Sequence, residues 1–471
     1  MTIVIVSILL LGCLLIATEN ITKVNRAAVA IFAGTVGWVL YICFGMDFVT
    51  GQHAYEFSSY LHSQTPAIPE SSATVKAFIS RFIFLPYVGR AAEIVLFLLA
   101  TMTIVEILNN NGCFDFIRQL LRTRSSKRMI WTLSVVTFVI SANLDNLTTT
   151  VMMLTIMHGI IPSRRQRLYY GSAILLSANC GGALTVIGNP EGLVLWSMGA
   201  VTATNFSMAL LLPCLAAWLV PIYLISRSLP ERVDTEWIVM PYRGDDTRLN
   251  VWQRLLMLFV GIGGLWFIPT FHNISKLSPF LGALCVLSVL WIVNEIFNRK
   301  LMNMDAMVER RTPRMVQYGV IQMILFVMGI MLAVGVVKET GAYDTLMDYL
   351  GIDESRPFVW LHGVAAGVLS TVLDNFATAV NFISLSDVLG QDGISEIATV
   401  YSCNGLYWKV IAFCVMAGGN VLGVGTMSGL ALMKMERMHV GWFFRHVGWK
   451  ALMGGGLGLC LLWLTQGQAL L

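Results

Sequence analysis

The sequence predicts an all-α polytopic membrane protein with two inverted repeats, and three observations support this fold class. The 471-residue chain is 56% hydrophobic and 12% charged, with a mean hydropathy of +0.72, far above the values of soluble globular proteins. It contains many apolar runs long enough to cross a bilayer, which takes about 20 helical residues. A stretch of the first half also recurs in the second. The composition excludes a soluble enzyme, and the small net charge of +4 gives no reason to expect a nucleic-acid partner.

Ten of the apolar runs are interpreted as transmembrane helices. They cover 3–18, 27–45, 91–108, 168–198, 206–227, 252–270, 279–297, 318–337, 398–432 and 448–466. Two further apolar segments, 129–160 and 358–386, each carry an Asp-Asn pair in the middle. We interpret them as re-entrant helical hairpins, which enter and leave the membrane on the same side.

The basic residues predict which side of the membrane each loop occupies. If 129–160 is re-entrant, both of its strongly basic flanks lie in the cytoplasm, as the positive-inside rule requires. The segments that this orientation places inside carry most of the Lys and Arg residues: 23–26, 118–128, 161–167, 229–251, 299–314 and 434–445. The segment 46–89 and both chain ends then fall outside.

An internal repeat relates the two halves of the chain. Residues 141–151 align with 370–380 at an offset of 229, and Gly112 in the preceding helix aligns with Gly341. A Gly-Gly-x5-Gly-x3-Gly pattern follows each hairpin, and the side assignment gives the halves opposite orientations. Inverted repeats with discontinuous helices are typical of secondary transporters. The predicted domains are a first repeat, a cytoplasmic linker and a second repeat, over 1–228, 229–251 and 252–471.

The hairpin tips and the glycine patterns predict broken helices at the membrane midplane. Asn and Asp compete for backbone hydrogen bonds, so the chain should unwind at each Asp-Asn pair. Unwound backbone at that depth is tolerated only where it is buried in protein or lines a wet cavity. The glycine patterns should likewise break the helices at 168–198 and 398–432. The residues assigned to the broken backbone are Gly181, Gly182, Gly188, Asn189, Gly418, Gly419 and Gly425.

Carboxylates at membrane depth are the candidate functional groups, because burying them there is costly. Asp145 and Asp374 lie at the two tips; each could instead cap the following helix, and both roles are compatible. Glu106 lies deep in the third predicted span and is assigned as a second proton-coupled group, with an interfacial position as the alternative. No Arg or Lys lies near either tip in the sequence, which argues against an anionic substrate.

The polar residues around the tips predict a site for a hard cation. Carboxylate, amide, hydroxyl and carbonyl oxygens are the ligands that such ions prefer. A carboxylate that can hold either a proton or a metal ion is sufficient for an antiporter, and no cofactor beyond the transported Na⁺ and H⁺ is expected. The nine cysteines form no CxxC pair, so neither a zinc site nor a disulfide framework is expected. The predicted Na⁺ ligands are Asp145, Asn146, Asp374 and Asn375, assisted by Thr149, Thr378 and Asn179.

Four motifs resemble those of the NhaD family of sodium:proton antiporters, within the ion transporter superfamily. They are Glu93-Ile94 through Thr103-Ile-Val-Glu106-Ile, Leu144-Asp145-Asn146-Leu-Thr-Thr, Ser177-Ala-Asn179-Cys-Gly181-Gly182-Ala, and Gly418-Gly419 through Gly425 with Met433-Lys-Met-Glu436. The resemblance implies a multi-pass protein of the bacterial inner membrane that exchanges Na⁺ or Li⁺ for H⁺. It also implies a homodimer in contact with membrane lipid. The chain departs from the family at Gly188-Asn189-Pro190-Glu191-Gly192, where Gly-Asp and a Thr-rich stretch are usual.

Two alternatives remain open from the sequence. The same fold could carry another solute, such as a sodium-coupled carboxylate or arsenite. An intramembrane aspartyl protease could use Asp145 and Asp374, but it would be expected to have Gly-x-Gly-Asp before one aspartate, and neither has it.

Overall fold

A computed structural model describes residues 1–63, 70–121, 123–233, 249–298, 314–350, 356–389 and 396–467. Most of the predicted linker 229–251 and of the basic segment 299–314 lies outside the described residues. The described part of the chain is built of helices joined by short turns.

The first half begins with apolar and surface helices and ends with a hairpin and a broken helix. Its helices are α1 (Thr2–Ala17), α2 (Glu19–Thr22), α3 (Arg26–Cys43), α4 (Gly45–Gln52), α5 (Ala54–Ser63), α6 (Ser72–Phe78), α7 (Leu85–Asn110), α8 (Phe116–Leu120), α9 (Ser126–Ser141), α10 (Asn146–His158), α11 (Arg164–Leu184), α12 (Pro190–Ser197) and α13 (Ala203–Ser226). A π-helical stretch, Ile79–Phe84, joins α6 to α7.

The second half has the same order of elements. Its helices are α14 (Val251–Leu258), α15 (Gly264–Ser275), α16 (Pro279–Asn298), α17 (Arg314–Glu339), α18 (Ala342–Leu350), α19 (Arg356–Ser370), α20 (Asn375–Ile383), α21 (Glu396–Tyr401), α22 (Leu406–Leu422), α23 (Met427–Glu436), α24 (Val440–Phe443) and α25 (Trp449–Leu462). Further π-helical stretches are Phe259–Gly263, Phe444–Gly448 and Trp463–Gly467.

The hydropathy of these helices confirms the all-α membrane fold class. Eight of the described helical stretches are long and apolar enough to cross a membrane, and each overlaps a predicted span. The predicted span 3–18 is the shorter apolar helix α1, and the predicted span 168–198 is formed by α11 and α12. The eight stretches are Arg26–Cys43, Ser72–Asn110, Ala203–Ser226, Val251–Ser275, Pro279–Phe297, Val320–Glu339, Leu406–Glu436 and Val440–Gly467.

Two predicted spans have different bounds in the structure. The helix expected at 91–108 begins upstream at Ser72, because α6 and α7 are continuous through the π-helical stretch. The broken helix expected at 398–432 begins at Leu406 and ends at Glu436. Asn404 adopts a left-handed conformation with φ 65°, which a helix cannot continue through, so α21 and α22 are separate.

The packing of the helices has an approximate two-fold relation between the halves. In the first half α9 packs on α11, and in the second α19 packs on α22. Helix α3 packs on α17, just as α16 packs on α7. Each hairpin also packs its second helix on the short half-helix of the other repeat, α10 on α23 and α20 on α12. The hairpins and broken helices of both halves therefore form one central unit.

Contacts near the ends of the hairpins support the re-entrant interpretation. In the first hairpin, the Tyr170 hydroxyl, shortly after the exit, donates to the carbonyl of Ser126 at the entry (3.3 Å). The amide of Ser126 in turn donates to the carbonyl of Glu231 in the following linker (3.1 Å). At the second hairpin, Asp387 after the exit pairs with Lys338 (2.6 Å), which lies at the end of α17, the long helix that precedes the hairpin. These contacts are those of re-entrant hairpins; which face is cytoplasmic stays a prediction.

Candidate ion-binding site

The first hairpin tip is fixed to the break in the helix that follows it. The Ser141 hydroxyl at the end of α9 donates to the carbonyl of Ala178 on α11 (2.6 Å). The amide of Asn146, the first residue of α10, donates to the carbonyl of Gly188 in the break (3.2 Å). The unwound tip and the helix break would each leave backbone groups unpaired. Here these groups form hydrogen bonds with each other.

The second tip is fixed by the same two bonds at equivalent positions. The Ser370 hydroxyl donates to the carbonyl of Val415 (2.8 Å), and the amide of Asn375 donates to the carbonyl of Gly425 (2.7 Å). Both serines are fully buried. The repeat detected in the sequence is therefore also a repeat of individual hydrogen bonds.

The paired glycines lie inside the helices rather than at the breaks, which differs from the prediction. Helix α11 continues past Gly181 and Gly182 to Leu184, and the break covers 185–189. Helix α22 likewise continues past its Gly-Gly pair, and its break covers 423–426.

Close backbone contact explains why these helical positions are glycine. A Cβ atom on Gly181 would overlap the carbonyl of Phe138, and one on Gly418 would overlap the carbonyl of Gly367. Phe138 and Gly367 occupy equivalent positions on the hairpin helices α9 and α19. The glycines therefore allow each hairpin to lie against its broken helix, and the chain unwinds only four or five residues later.

Asp145 is buried at the first tip and has one carboxylate oxygen without a partner. Its Oδ2 accepts from the amide (2.9 Å) and the hydroxyl (3.1 Å) of Thr148, so the aspartate caps α10. Its Oδ1 has no hydrogen-bond partner. The side chain is 3% exposed. A buried carboxylate oxygen with no donor is a ready ligand for a cation or a site for a proton.

Asp374 is equally buried at the second tip, but both of its oxygens are engaged. Oδ1 accepts from the amides of Phe376 (3.0 Å) and Ala377 (3.4 Å), which caps α20. Oδ2 accepts from Nη1 of Arg26 at 2.7 Å. The prediction that no basic residue lies near a tip is therefore wrong. Arg26 is 8% exposed and is not a cytoplasmic surface residue.

A chain of buried amides joins the two halves between the tips. Asn146 Nδ2 donates to Asn179 Oδ1 (3.2 Å), and Asn179 Nδ2 donates to Asn420 Oδ1 (2.8 Å). Asn179 Nδ2 also lies 3.5 Å from the hydroxyl of Thr426 in the second break. Of these, the sequence singled out only Asn146 and Asn179 as site residues. Asn420 and Thr426 were not assigned as ligands, although both lie in the second glycine-rich motif.

Further buried oxygens without partners lie in the first half of the site. They belong to Thr149 (Oγ1), Asn189 (Oδ1) and Glu191 (Oε2). Glu191 is the second residue of α12, is 5% exposed, and lies within electrostatic range of both Asp145 and Asp374. It was not assigned to the site from the sequence, although it stands within the motif that departs from the family pattern.

The remaining predicted residues have different environments. The Thr378 hydroxyl donates to the carbonyl of Asp374 (2.9 Å), so it is satisfied within its own helix. Asn375 is buried beside the second break through its amide bond to Gly425. Glu106 is half-buried on α7. Within the described ranges, no three His, Cys, Asp or Glu side chains come together as a metal site, so a bound cation would also need amide, hydroxyl or carbonyl oxygens.

Comparison with known proteins places this site in a family. Residues 13–403 match the family described as "CitMHS: Citrate transporter". The chain belongs to this family. It is therefore a transporter of the ion transporter superfamily and not an enzyme, which removes the aspartyl protease alternative. The geometry agrees, since Asp374 is held by Arg26 rather than paired with a second carboxyl group.

Relatives of this CitMHS family member include proteins named as sodium/proton antiporters. Sodium/proton antiporter 1 of Arabidopsis thaliana is 31% identical over 79% of this chain, which spans 61% of that protein's length. The Na(+)/H(+) antiporter NhaD of Vibrio parahaemolyticus is 24% identical over 78% of this chain and 87% of its own length. The predicted resemblance to the NhaD family is confirmed. The solved structure of the Alcanivorax borkumensis YdaH transporter has a TM-score of 0.49 and 12% identity, covering 83% of this chain and 90% of that one.

Proposed function

We propose that this CitMHS family member exchanges Na⁺ or Li⁺ for H⁺ across the bacterial inner membrane. The observation that carries the proposal is a set of buried oxygens without partners in the first half of the site, on Asp145, Thr149, Asn189 and Glu191. Each lacks a hydrogen-bond donor, which is costly for a buried polar group unless another species binds there. A hard cation or a proton satisfies such oxygens.

Exchange follows from competition between the two species. A proton bound to Asp145 removes the negative charge that a sodium ion requires, and a bound sodium ion excludes the proton. The two broken helices bring backbone carbonyls of both halves to the same region, which is the arrangement used for ion sites in secondary transporters. Alternating access then carries either species, but not both, across the membrane. We expect the protein to function as a homodimer with inverted repeats over 1–228 and 252–471.

A carboxylate substrate is the second candidate, because the family is described as citrate transporters and Arg26 lies at the second tip. However, the Arg26 guanidinium already binds two carboxylates, Asp374 (2.7 Å) and Glu19 (2.8 Å). Lys434 also pairs with Glu19 (3.1 Å), so the charges of this group balance. Arg26 therefore offers no uncompensated positive charge to an anionic substrate, and the geometry favours cation exchange.

Proton flux in proteoliposomes tests the proposal. A pH gradient is imposed and followed with a pH-sensitive dye while Na⁺, Li⁺, K⁺ or citrate is added in turn. Collapse of the gradient on Na⁺ or Li⁺, and its absence with Asp145→Asn protein, is the expected result. Uptake of labelled citrate without any response to Na⁺ or Li⁺ would instead establish the carboxylate carrier.

A further inference from the structure

Arg26 is placed where helix stability cannot explain it. It is the first residue of α3, and the N-terminal end of a helix carries a partial positive charge that disfavours cations. The residue before it, Asn25, caps the helix by accepting from the amide of Ala27 (2.8 Å). Arg26 adds nothing to this cap, and its side chain is buried against the second hairpin instead.

The Arg26 guanidinium takes the position of a bound cation at Asp374. Nη1 lies 2.7 Å from Asp374 Oδ2. The other oxygen of Asp374 is used by the two amides of the helix cap. The guanidinium also stacks on Phe326, with 5.7 Å between its carbon atom and the ring centroid. No lone carboxylate oxygen of Asp374 is left for a sodium ion in this arrangement.

The surrounding charges balance without a transported ion. Glu19 accepts from Arg26 Nε (2.8 Å) and pairs with Lys434 Nζ (3.1 Å). The group thus contains two acids and two bases, on α2, α3, α23 and the second tip. The first tip differs, because Asp145 has a carboxylate oxygen without a partner.

We propose that Arg26 is a built-in counter-ion that occupies the second tip and restricts the transported cation to Asp145. Each chain then binds one Na⁺ at the repeat-related aspartates, not two. The restriction of Na⁺ to Asp145 rests on the proposed Na⁺/H⁺ exchange. It revises the predicted set of sodium ligands by removing Asp374. Arg26 acts as a positioning residue, because it holds Asp374 and does not itself touch the transported ion.

Labelling with dicyclohexylcarbodiimide tests the assignment, because this reagent attacks protonated carboxyl groups in apolar surroundings. Purified protein is labelled with and without Na⁺, and the adducts are located by peptide mass spectrometry. In the wild type we expect an adduct on Asp145 that Na⁺ suppresses, and none on Asp374. In Arg26→Gln we expect Asp374 to be labelled to a level comparable with Asp145. Arg26→Lys, which keeps the charge, should restore the protection of Asp374.

Equilibrium binding of radioactive sodium gives a second measurement, and its wild-type result does not depend on the folding of any variant. The wild type should bind one Na⁺ per chain, and Arg26→Gln should bind two. Two ions per wild-type chain, or Na⁺-protected labelling of Asp374 in the wild type, would overturn the role of Arg26 while leaving the antiporter intact. If the protein binds no sodium and Na⁺ does not protect Asp145 from labelling, the proposed function is contradicted. Comparison of Asp374 labelling in the wild type and in Arg26→Gln would still show whether the ion pair exists.

Discussion

At the first tip Asp145 caps α10 with one oxygen and leaves the other without a partner, whereas at the second tip Asp374 caps α20 and binds Arg26. The backbones of the two tips are held by the same pair of hydrogen bonds, from the buried serine and from the Asn amide. The two repeats therefore share a framework, the pair of hydrogen bonds that holds each tip, but differ in the charged partners of the tip aspartates. Equivalent positions in an inverted repeat need not have equivalent functions.

The largest effect expected from this difference is that of neutralising each aspartate. Asp145→Asn should abolish Na⁺-driven proton flux in proteoliposomes, because the amide still caps the helix but carries no charge. Asp374→Asn should raise the half-activating Na⁺ concentration by about tenfold, the effect of roughly 1.4 kcal/mol of altered electrostatic potential at a distance. Equal loss of exchange in both variants would show that the tips are functionally equivalent.

The next effect is on stability, because the two helix breaks differ in how closely the neighbouring atoms approach their glycines. A Cβ atom on Gly425 would overlap the carbonyl of Ser370, whereas one on Gly188 would lie 2.6 Å from the nearest atom. Gly425→Ala should therefore cost about 1–3 kcal/mol through overpacking, and more than Gly188→Ala does. The apparent melting temperature in detergent measures both. Gly456→Ala is the matched control, because nothing lies within 4 Å of its Cβ position; a lower melting temperature there would discredit the comparison.

Glu191 is a buried acid within electrostatic range of both tip aspartates. Glu191→Gln should raise the half-activating Na⁺ concentration by about fivefold, because removing a nearby negative charge weakens cation binding by roughly 1 kcal/mol. Glu93→Gln is the control, since Glu93 is half-buried on α7 and belongs to no contact of the site described above. The activation curves of the two variants and the wild type are compared in the proteoliposome assay. An unchanged curve for Glu191→Gln would remove Glu191 from the site.

How much of the fold and of the site could be predicted from the sequence depends on how far apart along the chain the interacting residues lie. The hairpins, the tip aspartates and the opposed repeats were predictable because Asp-Asn and Gly-Gly motifs are local and recur at a fixed offset. The partner of Asp374 was not predictable, because Arg26 lies 348 residues away and belongs to a different helix. Its basic side chain was counted toward the positive-inside rule, which uses position along the chain and has no information about side-chain burial.

The break positions were predicted less accurately for a different reason. The sequence pattern shows that glycine is required but not whether it serves for unwinding or for close approach. At Gly181 and Gly418 the reason is close approach, because a Cβ atom there would overlap a hairpin carbonyl. Such contacts depend on the packing of α9 on α11 and of α19 on α22, which is a tertiary property.

The shared framework itself predicts a matched pair of small effects. Ser141→Ala and Ser370→Ala each remove one buried hydroxyl donor to a carbonyl, so each should cost about 1 kcal/mol. The two losses should agree within error, measured as denaturation midpoints of the purified protein. Ser288→Ala, at an exposed helical position with a local bond of the same kind, should have a smaller effect. Unequal losses at Ser141 and Ser370 would show that the framework is not equivalent in the two halves.

The smallest expected effect concerns a pH-dependent contact between His53 and Glu339. His53, on the loop between α4 and α5, bonds Glu339 at the end of α17 (2.7 Å) and Glu56 (2.7 Å), while the residue equivalent to Glu339 in the first half is the neutral Asn110. The bond to Glu339, assisted by that to Glu56 and opposed by burial, raises the pKa of His53 from its ordinary 6.5 to about 9.

Because the folded protein holds this proton more tightly than the unfolded chain does, the contact contributes fully below about pH 6.5 and is lost as the pH rises through about 9. The wild type should therefore melt at a higher temperature than His53→Gln at pH 6, and the difference should disappear by pH 10. Asn110→Gln, at the equivalent position of the first half, should show no such pH dependence relative to the wild type. A difference between wild type and His53→Gln that is constant across this range would mean that His53 acts through packing and not through its charge.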